Sequence, residues 1–379
     1  MSAERLPFMR LQPAEDRPAV EAAIRRVIDR GWFVLGPEVD AFEQAFARLC
    51  GTRHAIGVGT GTDAIAIILR GLGIGAGDEV ITTPLSAAYS ALACMMAGAR
   101  PVFADLDPER LTLDPAAVEA AITPRTAAIL PVHLYGQPAD MPAIVTIASR
   151  HGIAVVEDCC QAHLATCNGQ PVGSFGVAAA YSFYPTKNLG ALGDGGAITT
   201  SDAALAAKVK RIRNGGQTDR YHHGEMGVNS RLDEMQAAIL SARLPFLPGW
   251  TQARRIGAAA YRRLLTGAPV VVPPQADPGH VYHLFPVRSP QRDQLQAWLL
   301  EQGIETLVHY PVPVHLQQAY LSRIALGAGG LAETEKACGE ILSLPMHPHL
   351  SDEDAHRVIS ALLGYPPVAV AHPEKRADP

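Results

Sequence analysis

"TAAILPVHLYGQPADMPAIVTIASRHGIAVVEDCC", residues 126–160, holds the reading that decides the fold. Its ends, "TAAILPVHLYG" and "IAVVEDCC", are short apolar runs of strand length, whereas "ADMPAIVTIASRHG" between them carries helical spacing. Asp140 followed by Pro142 supplies the cap chemistry expected where that helix begins. A strand, a helix and a second strand in this order make a crossover that joins parallel neighbours. The same alternation runs upstream through "DEVITTPL" and "ARPVFADLD", with the helix "LDPAAVEAAI" capped by Asp114 and Pro115. The class expected is α/β, with a mainly parallel sheet covered by helices on both faces.

Outward from this core the spacing becomes helical. "RPAVEAAIRRVIDRG" places Val20, Ala23, Ile24, Val27 and Ile28 on one face and stops at Gly31. "PEVDAFEQAFARLCG" repeats the pattern with Val39, Phe42, Phe46 and Leu49, ending at Gly51. Downstream, "RLDEMQAAILSARLPFL" and the basic amphipathic "PGWTQARRIGAAAYRRLL" read as helices, the second leading away from the sheet. A smaller unit follows, with strands expected at "HLFPVR" and "ETLVHYP" and a helix at "RDQLQAWLLEQG". The boundaries expected are 1–250 for a large domain with an N-terminal helical arm and 251–379 for a small C-terminal α/β domain. The proline- and charge-rich "PPVAVAHPEKRADP" is expected to fray.

Of the 379 residues, 48% are hydrophobic and 18% charged, a globular composition with ample material for a large core. A formal net charge of −5 and the lack of a basic cluster argue against nucleic acid as a partner. "MSAERLPFMR" carries charges where a signal peptide needs its apolar core, and no run approaches the ~20 apolar residues of a membrane span. A cytoplasmic protein without a membrane partner is expected. The six cysteines, with Cys159 and Cys160 adjacent, read as reduced core thiols.

In doubly wound sheets, ligands sit at the carboxyl ends of the strands, and three polar groups land there. "GVGTGTDAI", residues 57–65, is a strand end, a glycine and threonine turn and a helix start, the arrangement that holds phosphate. Taken alone it reads equally well as a simple tight turn. "IAVVEDCCQAH" ends a buried strand on Asp158, a carboxylate that needs a cationic or hydrogen-bonding partner. Cys159, Cys160, His163 and Cys167 lack the C-x-x-C pairing of a zinc site, so no metal is expected. The third group is Lys187, in "SFYPTKNLGALGDGG", residues 182–196, a glycine-rich crossover between the strands "VAAAYSFY" and "GAITTSD". A single lysine in such a loop is more often structural. Together, a phosphate turn, a carboxylate and a partly buried amine are the parts that hold pyridoxal 5′-phosphate.

With these motifs, and with "PVFADLDPERLTLDP", "PVHLYGQPADM", "GVNSRLDEMQAAIL" and "HYPVPVHLQQAY", the chain resembles the sugar aminotransferases of the DegT/DnrJ/EryC1/StrS family. The resemblance covers nearly the whole chain and implies the fold type I architecture of aspartate aminotransferase. By motif, Lys187 resembles the family's Schiff-base lysine, Asp158 its partner for the pyridinium nitrogen, and Gln161 the side chain bonded to the phenolic oxygen. Gly61 and Thr62, with Asp63 through its backbone, match the phosphate turn; Ser182 adds a phosphate contact. Asn229 matches a residue that reaches the phosphate across a dimer interface, which implies a homodimer with shared active sites. Where the family places an aromatic residue over the pyridine ring, "PLSAAYSAL" has Ala87, with Tyr89 two residues later. His309, Tyr310 and His315 are candidates for a sugar pocket, and Tyr221, His222 and His223 for contacts from the second subunit.

The resemblance implies a ping-pong transamination with L-glutamate as donor and a nucleotide-linked keto sugar as acceptor. Gln161 together with "HYPVPVHLQ" is similar to members acting at a 3-keto position. Amination of a keto-cyclitol of the inosose type is an alternative within the same cofactor class. A dehydratase is disfavoured because Lys187 is present. A non-catalytic sensor that binds the cofactor is disfavoured by the joint presence of Lys187, Asp158 and the phosphate turn.

Overall fold

Short apolar runs become strands and the amphipathic runs between them become helices in the computed structural model, which describes residues 5–366. Residues 367–379, most of the tail expected to fray, lie outside the described residues. Helices α1 (Arg17–Arg30) and α2 (Pro37–Leu49) precede strand β1 (His54–Val58) and helix α3 (Gly61–Gly71). The crossovers follow: β2 (Glu79–Thr82), α4 (Tyr89–Ala97), β3 (Arg100–Phe103), α5 (Pro115–Ala121), β4 (Thr126–Ile129), α6 (Met141–His151) and β5 (Ala154–Asp158). Strands β6 (Ala178–Ser182) and β7 (Gly196–Thr200) bracket the lysine loop, and α7 (Ala203–Arg213), α8 (Glu234–Arg243) and α9 (Leu247–Leu264) come next.

These seven strands and the short strand Ala325–Leu326 form one eight-stranded sheet, in the order β1, β7, β6, β5, β4, β2, β3, Ala325–Leu326. Only β7 runs against the others, pairing antiparallel with both β1 and β6. The mainly parallel α/β expectation therefore holds. Asp114 and Asp140 cap their helices as expected, accepting from the amides of Ala116 and Ala143. Gly31 ends α1 in the left-handed region at φ 66°.

Both faces of the sheet are buried in separate apolar layers, one containing Phe42, Phe46, Tyr181 and Phe183, the other Ile56, Ile65, Val156 and Ile198. The apolar face of α1 is only half used. Val20, Ala23 and Val27 are buried, but Ile28 is 58% exposed.

A third apolar cluster gathers the C-terminal part of the chain: Ala258 and Tyr261 of α9 pack with Phe285, Leu299, Leu344 and Ile359, and Leu6 joins them from the other end. Here one expectation needs correction. "HLFPVR" does form a strand, Phe285–Arg288, paired with Ile341–Leu344, but "ETLVHYP" does not. The latter is extended chain with one bridge, Leu307 to Ser343. His309 and Tyr310 turn away from the ladder and toward the large sheet, where the Tyr135 hydroxyl donates to the His309 carbonyl.

Candidate active site

The carboxyl end of β5 sets the first functional side chain. Asp158 is 6% exposed, and its backbone is tied into the sheet through Pro131 and His133. Its carboxylate accepts from Ser90 Oγ at 2.8 Å through Oδ2 and from the Cys160 amide at 3.1 Å through Oδ1. Three residues on, Gln161 accepts from the Tyr135 amide at 2.7 Å through Oε1 and donates through Nε2 to the Tyr310 hydroxyl at 3.2 Å. That first bond fixes the polarity of the amide: its NH2 end, not its oxygen, faces Tyr310.

The turn after β1 is built against β7. Thr60 caps α3, its Oγ1 accepting from the Asp63 amide at 3.0 Å. The first turn of a helix has amides with no intrahelical acceptor, here including those of Gly61 and Thr62. A Cβ on Gly61 would meet Cys160 Sγ at 2.6 Å, and one on Gly196 would meet the Thr60 backbone at 2.4 Å. Glycine at both positions lets the turn, β7 and β5 close on one another. Asp63 braces the turn from outside, accepting from Ser230 Oγ at 2.7 Å, while Ser230 accepts from the Gly59 amide at 2.9 Å.

Lys187 sits in the connection between β6 and β7, which is closed by the Phe183 amide on the Gly195 carbonyl at 2.8 Å. Its backbone amide bonds the Tyr184 carbonyl at 2.8 Å. Burial holds its ammonium below the ordinary lysine range, partly opposed by nearby Cys160 and Asp158. An amine so placed gives up its proton, and becomes nucleophilic, more readily than a solvated one.

These groups open on one cavity of about 520 Å³, lined by Gly61, Thr62, Asp158, Gln161, Ser182, Lys187 and Tyr310 among others. The expected residues Asp63, Tyr221, Asn229, His309 and His315 do not line it. Asn229 is exposed and Tyr221 is 78% exposed. His309 lies behind Tyr310, edge-on to its ring, with Nδ1 at 2.9 Å from Ser343 Oγ. His315 is buried and pairs with Glu335 at 3.0 Å. Both Ala87 and Tyr89 line the cavity, Tyr89 at the start of α4 and 62% exposed.

Sequence reasoning missed Ser90, Tyr184, Thr186 and Asp194, which also line the cavity. The last three lie in the quoted lysine stretch, where their proximity was readable. Nothing local announces Ser90, because its partner Asp158 is 68 positions away. Of the cysteine and histidine set weighed for zinc, His163 is walled by Phe46, Tyr181 and Phe183, and burial pushes it down to about 3. A different trio, His133, Glu157 and Cys159, lies within 4.8 Å. Glu157 is already committed to His133 and to the amides of Gly173, Phe175 and Gly176.

An anion cradle, a buried carboxylate, an oriented amide and a readily deprotonated amine around one cavity are equipment for chemistry on a phosphorylated carbonyl group. The comparisons agree in kind. The model of the DegT/DnrJ/EryC1/StrS aminotransferase family matches residues 15–363. A pleiotropic regulatory protein of Geobacillus stearothermophilus is 50% identical over 91% of this chain and 94% of its own. The dTDP-3-amino-3,4,6-trideoxy-alpha-D-glucose transaminase of Streptomyces venezuelae is 49% identical over 94% of this chain and 95% of its own. The solved structure of DesV from S. venezuelae, in complex with a ketimine intermediate, superposes with a TM-score of 0.92 at 49% identity, covering 95% of this chain and 98% of that one. The chain therefore belongs to the DegT/DnrJ/EryC1/StrS aminotransferase family, and it is an aminotransferase of fold type I.

Proposed function

We propose that the chain holds pyridoxal 5′-phosphate in this cavity and transfers an amino group from L-glutamate to a nucleotide-linked keto sugar, at its 3-keto position. The observation that carries the reading is the convergence of Lys187, Asp158, Gln161, Ser182 and the Gly61–Thr62 turn on one cavity. The donor set fits the group. Gly61 leaves no room for a Cβ, so backbone lies open where a phosphate would rest, and the Gly61 and Thr62 amides with Ser182 would hold it. Asp63, whose amide is engaged by Thr60, braces that turn. Asp158 would face the ring nitrogen and Gln161 the phenolic oxygen. Bound there, the cofactor supplies an electron sink for the substrate carbon that bears the nitrogen.

The chain's own residues do the rest. Lys187 would anchor the cofactor and would take and return the proton at the substrate carbon. Ser90 and the Cys160 amide hold the Asp158 carboxylate in one orientation. Tyr310 brings the C-terminal unit, residues 251–379, onto the cavity of the unit formed by 1–250, and with His309 behind it supports the sugar side; His315 supports it from farther out. The trideoxyglucose transaminase of S. venezuelae, named for a 3-amino sugar, favours a keto sugar over a keto-cyclitol. Tyr221 and Asn229, exposed and off the cavity of their own chain, would serve a site only from a second copy, which supports reading the assembly as a homodimer. No helix among the described residues is long and apolar enough to cross a membrane, in keeping with a cytoplasmic enzyme and soluble substrates.

The test is an absorption spectrum of the cofactor-loaded protein before and after L-glutamate, repeated with Lys187→Ala. The wild type should lose its visible cofactor band on addition of glutamate, and the variant should lack the lysine-linked band from the start. An acceptor panel of nucleotide keto sugars and inososes then identifies the second substrate. Absence of any cofactor band after incubation with pyridoxal phosphate overturns the reading.

A further inference from the structure

A second, smaller cavity of about 60 Å³ lies on the other side of the lysine loop and shares Thr186 and Lys187 with the first. Its walls come from residues 9–12 with Asp16, from Pro185–Asn188 with Gly190, from Arg243, Trp250 and Arg254, and from residues 347–349. Its lining carries more positive than negative groups, Arg10, Lys187, Arg243 and Arg254 against Asp16. Arg254, 4% exposed, has no ion pair among the described residues and spends Nη1 on the carbonyls of Tyr282, His283 and Met346. Among the described residues its Nε is buried without a hydrogen-bond partner, and so are both ring nitrogens of His347, which is 2% exposed. Arg10 adds a guanidinium from the N-terminal segment.

Asp16, which lines this cavity, and Glu15, beside His349, are already engaged. Asp16 takes Nε of Arg243 at 2.7 Å and the Ala14 amide at 2.8 Å. Glu15 accepts from Trp250 Nε1 at 2.5 Å and lies 3.8 Å from His349. Burial holds Arg254 down to about 10 and His347 down to about 4, the latter with help from Arg254, Arg10 and His349. A buried guanidinium with an unspent N–H and no carboxylate is costly unless an anion compensates it.

We propose that this cavity is a binding site for a small monovalent anion, a halide or a carboxylate group, held between Arg254, His347 and Arg10. The volume is several times what one water needs and far short of a nucleotide. The Arg254 guanidinium donates to the anion beside His347, and Arg10 closes it from the N-terminal segment. Bound there, the anion ties that segment and the 347–349 turn to the loop that carries Lys187. The site is independent of the cofactor reading, because its residues other than Thr186 and Lys187 belong to no part of the larger cavity.

The experiment uses cofactor-loaded protein exchanged into sodium gluconate and titrated with sodium bromide, or separately sodium formate, at constant ionic strength. A saturable rise in melting temperature is expected with at least one of them. Response to bromide alone marks a halide site and response to formate alone a carboxylate site. Where bromide acts, crystals soaked in it should show an anomalous peak between Arg254 and His347. Arg10→Ala and His347→Leu should each raise the half-saturating concentration at least about tenfold, while the visible cofactor band of each stays unchanged. The proposal is overturned by a melting temperature that either anion moves without saturation and equally in all three proteins, or by bromide peaks confined to other surfaces with no formate effect.

Discussion

Ser90 and Asp158 show how one residue gains a role from another far along the chain. The Ser90 hydroxyl is the side-chain donor to the Asp158 carboxylate, and both are buried. Ser90→Ala leaves Oδ2 without that bond, at a cost of about 1.5–3 kcal/mol for a hydrogen bond to a charged group. The expected result is an activity loss of roughly tenfold with a shifted cofactor absorption maximum and the fold retained; unchanged activity and spectrum would remove Ser90 from the site. His163 illustrates the opposite case, a titratable group used as packing. Its pKa of about 3 in the folded chain lies below the ~6.5 of an unfolded histidine. The unfolded chain therefore takes up its proton first as the pH falls, and stability is lost progressively from about pH 6.5 down to about 3. In His163→Phe, urea titrations of the apoprotein across that range should show a shallower acid dependence, by up to about 1.4 kcal/mol per pH unit. An equal slope in both proteins would assign the acid sensitivity to other buried histidines such as His280 and His283, which burial also holds low.

At the scale of elements, the turn after β1 depends on β7 as much as on its own residues. The turn was legible in "GVGTGTDAI" because a glycine and threonine pair before an apolar helix is a local pattern. The strand that carries Gly196 was legible too, but not that its backbone presses on Thr60. Gly196→Ala puts a methyl group at 2.4 Å from the Thr60 carbonyl carbon. Since that neighbour is backbone, the turn must shift, and the variant should bind pyridoxal phosphate at least about tenfold more weakly and lose about 1–3 kcal/mol of stability. Equilibrium dialysis with the cofactor checks the first expectation and denaturant titration the second. The reading of "ETLVHYP" as a strand went wrong for a related reason. Its residues have strand propensity, but Ser343 is the one position that pairs with it, and the partner Phe285–Arg288 is filled by Ile341–Leu344. Propensity says how well a segment fits a sheet, not which edge is free.

For the whole molecule, the exposed apolar residues Ile28, Trp32, Phe33 and Val34 lie at the end of α1 and in the turn that follows it, 58%, 54%, 52% and 46% exposed. A face of this kind suits contact with a second copy, and Asn229 is the residue through which sharing of the site can be tested. Lys187→Ala and Asn229→Ala, each expected to be inactive alone, should regain activity when unfolded and refolded together. Each mixed dimer then holds one site with both residues intact, so roughly a quarter of wild-type activity is expected from random pairing. Activity no higher than the sum of the separate variants would mean that each chain completes its own site.

What the sequence by itself determined was everything carried by short-range pattern: the α/β class, the crossovers, the helix caps at Asp114 and Asp140, and the strand-end positions of Asp158 and Lys187. These depend on residue spacing and backbone stereochemistry, which act within a few positions. Only the tertiary structure decided which side chains meet. It joined Ser90 to Asp158, Ser230 to Asp63 and Tyr310 to Gln161, and it turned Asp63, His309 and His315 away from the cavity. It also set Arg254 beside His347 and Arg10 behind the lysine loop. Such contacts arise when layers of the fold close over sequence separations of more than sixty positions, and the packing of whole elements selects them.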